Sequence, residues 1–242
     1  MDVSIILPCY NELEALKSAV PAIQRVMDST IYEYELIIAE DSSTDGTAEF
    51  AKKLAEENDN IVWVHRSGVR GRGLALTNAL RLSRGRIAGF IDVDLETPAH
   101  YIYPAILEIE SGADIATCIR VYKLNRYHFI YRLPKVLSHY CYLWISSHLL
   151  GMDRFDNEAG FKFFNRGRIL PILDEVKDTH WFWDTEIMVR SYRLNYKIST
   201  LPMLFLPDHL RESKTNLLFD SVSQLIKLFK FRKELKNEKT ED

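Results

Sequence analysis

Short apolar runs alternate with longer helix-patterned stretches over the first 120 residues, and this order constrains the fold more than any other feature. The strand-like runs cover residues 3–7, 36–39, 61–64, 87–91 and 115–117. The helix-like stretches, in which apolar side chains recur at helical spacing, cover residues 13–27, 44–57, 74–83 and 98–111. A repeated strand–helix order predicts an α/β fold, with a mostly parallel, twisted sheet and helices on both of its faces.

Length and composition exclude several other classes of protein. The chain has 242 residues, 47% of them apolar and 27% charged, as expected for one globular domain with or without an extension. It contains no run of roughly 20 apolar residues that could span a bilayer, and Met1 leads into an apolar strand without a basic leader. Cys9, Cys118 and Cys141 are widely spaced, which predicts neither a disulfide framework nor a structural zinc site. We therefore expect a cytosolic protein.

Positive charge is concentrated in one segment of a nearly neutral chain. The formal net charge is −3, yet residues 115–152 contain no acidic residue. Basic and aromatic side chains of this segment include Arg120, Lys123, Arg126, Arg132, Lys135, Tyr127, Tyr140 and Trp144. This mixture on short helices suits a lipid headgroup layer, and it also suits an ordinary helix pair with a solvated basic face. The overall pI of about 6.2 argues against a nucleic-acid partner.

Polar residues and glycines gather where the predicted strands end. The four segments are residues 8–12, 40–45, 66–73 and 92–96. Ligands of open parallel sheets bind beyond the carboxyl ends of the strands, so these segments should face one crevice. Asn11 and Asp41 could act there as helix caps or as part of a ligand site.

Asp92 and Asp94 follow the fourth strand directly, and Glu96 comes two residues later. Because the chain turns out of the sheet here, the carboxylates can converge on one hard cation, and we predict Mg²⁺ or Mn²⁺ as the cofactor. Such a cation could bridge the phosphates of a nucleotide. Two aspartates at this spacing also occur in solvated turns, so the prediction depends on the neighbouring segments.

Four ordered motifs give the chain a resemblance to a known family. They are P-C-Y-N-E at 8–12, E-D-S-S-T-D-G-T at 40–47, G-V-R-G-R-G-L-A-L at 68–76 and D-V-D-L-E at 92–96. In this order they resemble the family 2 glycosyltransferases of the GT-A fold, over roughly residues 3–215. Within that family the chain is most similar to the polyprenyl-phosphate glycosyltransferases, which include the dolichol-phosphate mannose synthases. The resemblance implies a Rossmann-like GT-A sheet flanked by helices.

On the donor side, the resemblance implies a nucleotide-sugar pocket beside a metal. The implied donor-binding residues are Pro8, Tyr10, Asn11, Glu12, Asp41, Asp92, Val93, Asp94 and Glu96. The implied metal ligands are Asp92, Asp94 and Glu96, and Asp94 is also an expected catalytic residue. Glu96 stands where the dolichol-phosphate enzymes usually have Gln, which leaves the sugar open between mannose, the one we favour, and glucose.

On the acceptor side, residues 156–162, 183–186 and 209–215 resemble three further motifs of the same enzymes. The other implied catalytic residues are Asp156, Asp184, Arg211 and Lys214. The implied ligands of the acceptor phosphate are Arg211, Ser213 and Lys214, and the basic segment adds Arg120 and Arg132, because Arg and Lys donate well to phosphate oxygens. A lipid phosphate has a second pKa of about 6 and needs no general base. A sugar hydroxyl would need one, and Asp156 and Asp184 would be the candidates.

Residues 217–242 predict a basic amphipathic helix followed by a polar tail. Val222, Leu225, Ile226 and Phe229 follow helical spacing, and lysines recur on another part of the surface. This helix could lie on an anionic membrane, form a dimer contact or pack on the core.

Together, these patterns predict a catalytic domain over residues 1–216, with residues 115–152 and the C-terminal helix as helical, membrane-facing extensions. We expect inverting, metal-dependent transfer of a hexose from GDP-mannose or UDP-glucose to a polyprenyl or dolichyl phosphate, at the cytoplasmic face of a membrane. A second copy of the chain or a separate membrane-anchoring subunit is a further expected partner. The alternatives are a soluble family 2 enzyme acting on a sugar hydroxyl and a non-catalytic nucleotide-sugar-binding protein or scaffold.

Overall fold

The computed structural model describes residues 1–122, 129–153, 155–205 and 217–238. Its strands are β1 (Val3–Cys9), β2 (Tyr34–Asp41), β3 (Ile61–Arg66), β4 (Ile87–Ile91), β5 (Ile115–Tyr122), β6 (Phe161–Asn165) and β7 (Ile198–Phe205). Its α-helices are α1 (Leu13–Met27), α2 (Thr47–Glu57), α3 (Arg72–Leu82), α4 (Ile102–Glu110), α5 (Phe129–Leu150), α6 (Arg166–Ile169), α7 (Trp183–Arg193) and α8 (Leu217–Glu238). Short 3₁₀ turns cover Ala99–Tyr101 and Leu170–Asp174. The predicted alternation is confirmed, and α1 has the predicted bounds.

The strands form one sheet within the described residues, in the order β3-β2-β1-β4-β6-β5-β7. β1 pairs in parallel with β2 and β4, β2 pairs in parallel with β3, and β5 pairs in parallel with β7. β6 runs antiparallel to both of its neighbours, β4 and β5. The sheet is therefore mostly parallel, as predicted, and the carboxyl ends of β1 to β4 meet at one edge.

Successive side chains of β1 enter two different core layers. Ile5 and Leu7 are fully buried on one face of the sheet together with Ile23 of α1. Ile6 is fully buried on the other face, in the layer that contains Trp183 of α7. This alternation follows from the two-residue period of a strand, and it leaves both faces of the sheet covered by helices.

Residues 115–152 are not helical throughout: the strand predicted at residues 115–117 is confirmed, whereas the prediction of a helical segment is wrong for residues 118–122. β5 extends to Tyr122 because each of its residues lies opposite a residue of β7, ending with Tyr122 opposite Phe205. The partner strand comes from far along the chain, and a local pattern cannot reveal such a pairing. The helix of this segment, α5, begins at Phe129.

The second predicted helix begins three residues later than expected. Gly46 has a φ of +93°, in the left-handed region, and α2 begins after it at Thr47. Asp45 precedes the helix, where its carboxylate accepts hydrogen bonds from the N–H groups of Thr47 (3.0 Å) and Leu13 (3.2 Å). Asp45 therefore joins two loops at the edge of the sheet.

One side of α8 packs on the domain, and it differs from the side that the spacing predicted. Leu228, Phe231 and Leu235 are buried in the core layer of α3 and α7. Ile226 and Phe229, which the spacing placed on the apolar face, are exposed. Among the described helices, α5 and α8 included, none has both the length and the apolar character needed to cross a bilayer.

Candidate active site

The loops that follow β1 and β2 are held together at the carboxyl edge of the sheet. The Asn11 N–H donates to Oγ of Ser43 (3.0 Å), and Oδ1 of Asn11 accepts from the N–H of Thr44 (2.8 Å). The Glu12 N–H donates to Oγ1 of Thr47 (3.0 Å). Asn11 has a φ of +51°, a conformation that Asn adopts more readily than most residues. Asn11 therefore joins the two loops, and its contact with a nucleotide stays a prediction.

The loop that follows β3 closes on the first two loops. Oδ2 of the buried Asp41 accepts from the N–H of Gly71 (2.7 Å). A Cβ at position 71 would lie 2.5 Å from the carbonyl oxygen of Thr179, so only glycine allows this approach. The Arg70 guanidinium lies 4.4 Å from the ring centroid of Tyr10. Three of the four predicted loop segments are thus in contact, as the sequence indicated.

The loop that follows β4 carries the paired carboxylates. The Asp92 N–H donates to the carbonyl oxygen of Gly160 (2.8 Å), and a Cβ at position 160 would overlap the Asp92 carboxylate. Leu95 has a φ of +51°, and the Glu96 N–H donates to Oδ1 of Asp94 (3.3 Å). The chain therefore leaves the sheet here, and glycine at position 160 makes room for Asp92.

The chemistry of this loop fits a divalent cation. Carboxylate oxygens are ligands that Mg²⁺ and Mn²⁺ prefer, and Mg²⁺ commonly completes its shell with phosphate oxygens and water. In the part of the chain that the structure describes, no three His, Cys, Asp or Glu side chains converge closely enough to hold a metal. Asp92 and Asp94 would therefore share the cation with oxygens from elsewhere, and Glu96 stays a predicted ligand. Val93, between the two aspartates, is buried in the core.

Arg72 lies inside the third motif, which assigned it no role, and it bridges two carboxylates of the site. It opens α3, and its Nη2 donates to Oδ1 of Asp92 (2.7 Å) while its Nη1 donates to Oδ2 of Asp184 (2.5 Å). Burial alone would lower the pKa of Arg72, but the two carboxylates raise that pKa above its ordinary value. The sequence carries one signal for this role. A cation at a helix start faces the positive end of the helix dipole, so acidic partners are expected to stabilise it.

Asp184 lies in the first turn of α7 and is shared by two cations. Its second oxygen, Oδ1, accepts from Nζ of Lys162 (2.8 Å). Lys162 is fully buried and also donates to the carbonyl oxygen of Ala159 (2.6 Å). Asp184 is therefore held between α3 and β6 by buried ion pairs.

Asp156 and Arg120 form a buried bidentate ion pair. Arg120 donates from Nε to Oδ2 of Asp156 (2.5 Å) and from Nη2 to Oδ1 (2.8 Å), and Nδ1 of His139 lies 3.1 Å from Nη2. Burial alone would raise the pKa of Asp156, but Arg120 holds that pKa below its ordinary value. Burial lowers the pKa of His139 to about 4, so the imidazole is neutral near pH 7. A carboxylate with a depressed pKa is a weak general base.

Glu158 lies two residues after Asp156 in the sequence, and its pKa is shifted in the opposite direction. Burial raises its pKa to about 7, an effect that Arg120 opposes and that the Asp156 and Asp184 carboxylates reinforce. No motif assigned a role to Glu158. A pKa in this range depends on burial and on the charges that folding assembles, so the sequence carries no signal for it.

The motifs and the geometry agree with a direct comparison to a known family. The model of the family described as Glycosyl transferase family 2 matches residues 4–169. The chain belongs to glycosyl transferase family 2.

Curated relatives of this family 2 transferase come from archaea, yeast and bacteria. Glycosyltransferase AglD of Haloferax volcanii is 34% identical over 206 residues, which are 84% of this chain and 33% of AglD. Dolichyl-phosphate beta-glucosyltransferase of Saccharomyces cerevisiae is 26% identical over 237 residues, 90% of this chain and 70% of that enzyme. Undecaprenyl-phosphate 4-deoxy-4-formamido-L-arabinose transferase of Pseudomonas fluorescens is 29% identical over 119 residues, 49% of this chain and 35% of that enzyme. The chain spans about a third of the length of AglD.

Solved structures share the fold of this family 2 transferase. Glucosyl-3-phosphoglycerate synthase from Mycobacterium tuberculosis, in complex with Mn²⁺, uridine diphosphate and glucosyl-3-phosphoglycerate, matches it with a TM-score of 0.70 at 19% identity. The match covers 96% of this chain and 79% of the synthase. A likeness at this identity concerns the fold, and it confirms the predicted GT-A architecture.

Several predicted acceptor residues of the transferase lie outside the described part of the chain. These are Arg211, Ser213 and Lys214. Arg132 belongs to α5, but its side chain is also outside the described set. Their roles stay predictions. Arg120 is described, and its place beside Asp156 shows that a phosphate would meet a guanidinium that already has a carboxylate partner.

Proposed function

We propose that this transferase moves a hexose from a nucleotide sugar to a polyprenyl phosphate, with inversion at the anomeric carbon. The observation that carries the proposal is the state of the two candidate bases. Asp156 is paired with Arg120, and Asp184 is paired with Arg72 and Lys162. Carboxylates held in this way are poorly placed to take a proton from a sugar hydroxyl. They suit an acceptor that arrives already ionised, as a phosphate monoester with a second pKa of about 6 does.

The relatives support the same class of acceptor and direct the choice of donor. The yeast relative is named for a dolichyl phosphate, and the Pseudomonas relative for an undecaprenyl phosphate. The yeast name also specifies a beta-glucosyl group, which supports glucose over the mannose that the motif resemblance favoured. UDP-glucose is therefore the first donor to test, and GDP-mannose the second.

The reaction needs alignment and charge stabilisation. A phosphate oxygen of the acceptor forms a bond to the anomeric carbon, and the bond from that carbon to the donor's diphosphate breaks, so the nucleoside diphosphate leaves. Asp92 and Asp94 would hold a Mg²⁺ or Mn²⁺ ion, which would neutralise charge on the departing diphosphate. The chain's own contribution is to hold the two reactants in line.

A second candidate function rests on Glu158. Its pKa of about 7 lies in the range expected of a general base, unlike that of Asp156. A sugar hydroxyl would then be the acceptor, and Glu158 would take its proton. Replacement of this one side chain separates the two functions, because transfer to a phosphate requires no base.

Paired acceptors test the proposed function directly. Purified protein, UDP-[¹⁴C]glucose or GDP-[¹⁴C]mannose and Mn²⁺ are incubated with a polyprenyl phosphate or with the same polyprenol lacking its phosphate. We expect label in an organic-extractable, mild-acid-labile lipid only when the phosphate is present. Label on the free polyprenol or on an oligosaccharide acceptor, with none on the lipid phosphate, would show that the proposal is wrong.

We also propose that one exposed apolar face rests on a membrane. Leu133, Leu137, Tyr140 and Trp144 are exposed and recur every three or four residues, so they lie on one side of α5. α8 lies against α5, and we include its exposed Ile226 and Phe229 in the same proposed surface. Together these six side chains are the apolar face of α5 and α8.

Two observations support a lipid surface as the occupant of that face. The segment 115–152 has no acidic residue, and Lys230, Arg232 and Lys233 of α8 are exposed, which suits anionic headgroups. The face is also next to the site, because the ring centroids of Tyr140 and Tyr122 are 6.5 Å apart and Tyr122 follows Arg120 on β5 by two residues. A lipid whose tail stays in the bilayer could therefore present its phosphate to the transferase.

Vesicle flotation tests the membrane contact with a matched pair of variants. Leu137 and Leu82 are both helical leucines with 60% exposure, but Leu82 lies at the end of α3, outside the apolar face. We expect Leu137→Glu to abolish flotation with phosphatidylglycerol vesicles and Leu82→Glu to float like the wild type. Equal flotation of both variants would contradict the proposal. A dimer in light scattering that Leu137→Glu dissociates, without any flotation of the wild type, would assign the face to a second copy instead.

A further inference from the structure

We propose that Arg72 is a positioning residue for sugar transfer, which fixes Asp92 in the donor loop against Asp184 on α7. The inference rests on the proposed function, since it assigns Asp92 to the donor side of the site. It goes beyond that function because it couples the donor loop to the acceptor side through one side chain. Nothing in the motifs assigns this role to residue 72.

The geometry uses both arms of the guanidinium. One terminal nitrogen donates to Asp92 (2.7 Å) and the other to Asp184 (2.5 Å), so Arg72 connects carboxylates from two separate elements. The guanidinium carbon also lies 5.2 Å from the ring centroid of Phe90 and 4.9 Å from that of Trp181. The side chain is only 11% exposed. These contacts fix the plane of the guanidinium and its forked pair of terminal nitrogens. Such a planar fork of donors distinguishes Arg from Lys.

The two carboxylates depend on Arg72 to different degrees. Asp184 keeps Lys162 as a buried partner without Arg72. Within the described residues, the ion pair of Asp92 is the one with Arg72, and its side chain is 36% exposed toward solvent. Gly160 leaves the carboxylate room on its other side. Loss of the fork should therefore displace Asp92 more than Asp184.

The charges make the arrangement self-consistent. Asp92 and Asp184 are balanced by Arg72 and Lys162 in one cluster. Without Arg72, two carboxylates would share the single positive charge of Lys162. Repulsion would then favour movement of the more exposed carboxylate, that of Asp92, away from the site.

The test compares two arginines of the same helix. Arg72→Lys keeps the positive charge but cannot reproduce the fork, whereas Arg81→Lys alters an exposed α3 arginine paired with the exposed Asp174. Binding of UDP and of GDP in the presence of Mn²⁺ is measured by calorimetry. We expect Arg72→Lys to weaken binding about 10–100-fold, the usual effect of losing a residue that orients a ligand group, with little change in Tm. Arg81→Lys should bind like the wild type.

A double-mutant cycle tests whether Arg72 acts through Asp92. If it does, Arg72→Met in an Asp92→Asn background should weaken nucleotide binding much less than Arg72→Met does alone. Wild-type binding by Arg72→Lys, or additive effects in the cycle, would overturn the inference. If wild-type protein binds neither nucleotide, the proposed function fails, and the same cycle measured by urea unfolding decides the inference. Non-additive changes in the free energy of unfolding at positions 72 and 92 would support the bridge, and additive changes would refute it.

Discussion

The proposed donor side and the proposed acceptor side of this transferase are held together mainly by different kinds of interaction. On the proposed donor side, the loops after β1 and β2 meet through hydrogen bonds near the surface, most of them neutral, such as those of Asn11 with Ser43 and Thr44, with one accepted by the Asp45 carboxylate from Leu13. On the acceptor side, the buried pair of Arg120 and Asp156 dominates. Neutral hydrogen bonds contribute roughly 1 kcal/mol each, whereas a buried charge that loses its partner costs several. Substitutions on the proposed donor side should therefore change the free energy of unfolding little, whereas substitutions on the proposed acceptor side should lower it strongly.

Asp94→Ala provides the strongest test of the donor side. We expect turnover to fall on the order of a thousandfold, because a metal contributes several kcal/mol of charge stabilisation in the transition state. The free energy of unfolding should change little. Activity assays and urea unfolding measure the two effects, with Asp59→Ala, an exposed aspartate between α2 and β3, as the control. Retained turnover would reject Asp94 as a metal ligand.

Asp156→Asn provides the corresponding test of the acceptor side. It leaves the buried Arg120 without its anionic partner, so we expect the free energy of unfolding to fall by about 3–5 kcal/mol. Asp174→Asn breaks the exposed pair with Arg81 and should cost at most about 1 kcal/mol. Urea unfolding of both variants decides the point. Similar losses in the two would mean that burial of the Arg120 pair contributes nothing.

Glu158→Gln tests the acceptor side through pH. Burial raises the pKa of Glu158 from 4.5 to about 7, so the folded state holds a proton that the unfolded state has released between these values. This group therefore makes wild-type stability fall as pH rises from about 4.5 to 7. The variant lacks that decline, so its stability relative to the wild type should increase from pH 5 to pH 8 in urea unfolding.

The comparison with Glu158→Gln cancels other titrations and also separates the candidate acceptors. Because burial lowers the pKa of the neutral His139 to about 4, the folded protein loses stability as pH falls below the ordinary pKa of histidine. Both proteins share this effect. A constant difference between the two proteins across pH would contradict the raised pKa of Glu158. Turnover with a lipid phosphate should persist in the variant, whereas transfer to a sugar hydroxyl with Glu158 as the base should be lost.

Arg132→Ala should have the smallest effect. If the predicted contact with the acceptor phosphate exists, the KM for lipid phosphate should rise by about tenfold, since hydrogen bonds to charged groups contribute about 1.5–3 kcal/mol. The KM for the donor should be unchanged. Steady-state kinetics with each substrate varied in turn measure both values. An equal rise in the two would remove Arg132 from the acceptor side.

Local features of the fold could be predicted from the sequence, whereas features that depend on distant parts of the chain could not. The bounds of α1 and the loop that carries Asp92 and Asp94 follow from local periodicity and turn chemistry. The part of β5 beyond residue 117 does not, because its hydrogen bonds go to β7, far along the chain. The buried side of α8 was missed for a related reason, since its partners lie on other elements and two sides of the helix carry apolar residues.

By itself, the sequence determined the parallel sheet, the edge at which its loops gather, and membership of the family. These features depend on residue patterns within a few turns or strands, where period and turn preference act locally. The tertiary structure decided which charges meet. Arg72 and Asp184 are 112 residues apart, and Arg120 and Asp156 are 36 apart. Only folding brings such groups out of water and into contact: burial raises the pKa of Glu158, whereas the ion pair with Arg120 lowers that of Asp156.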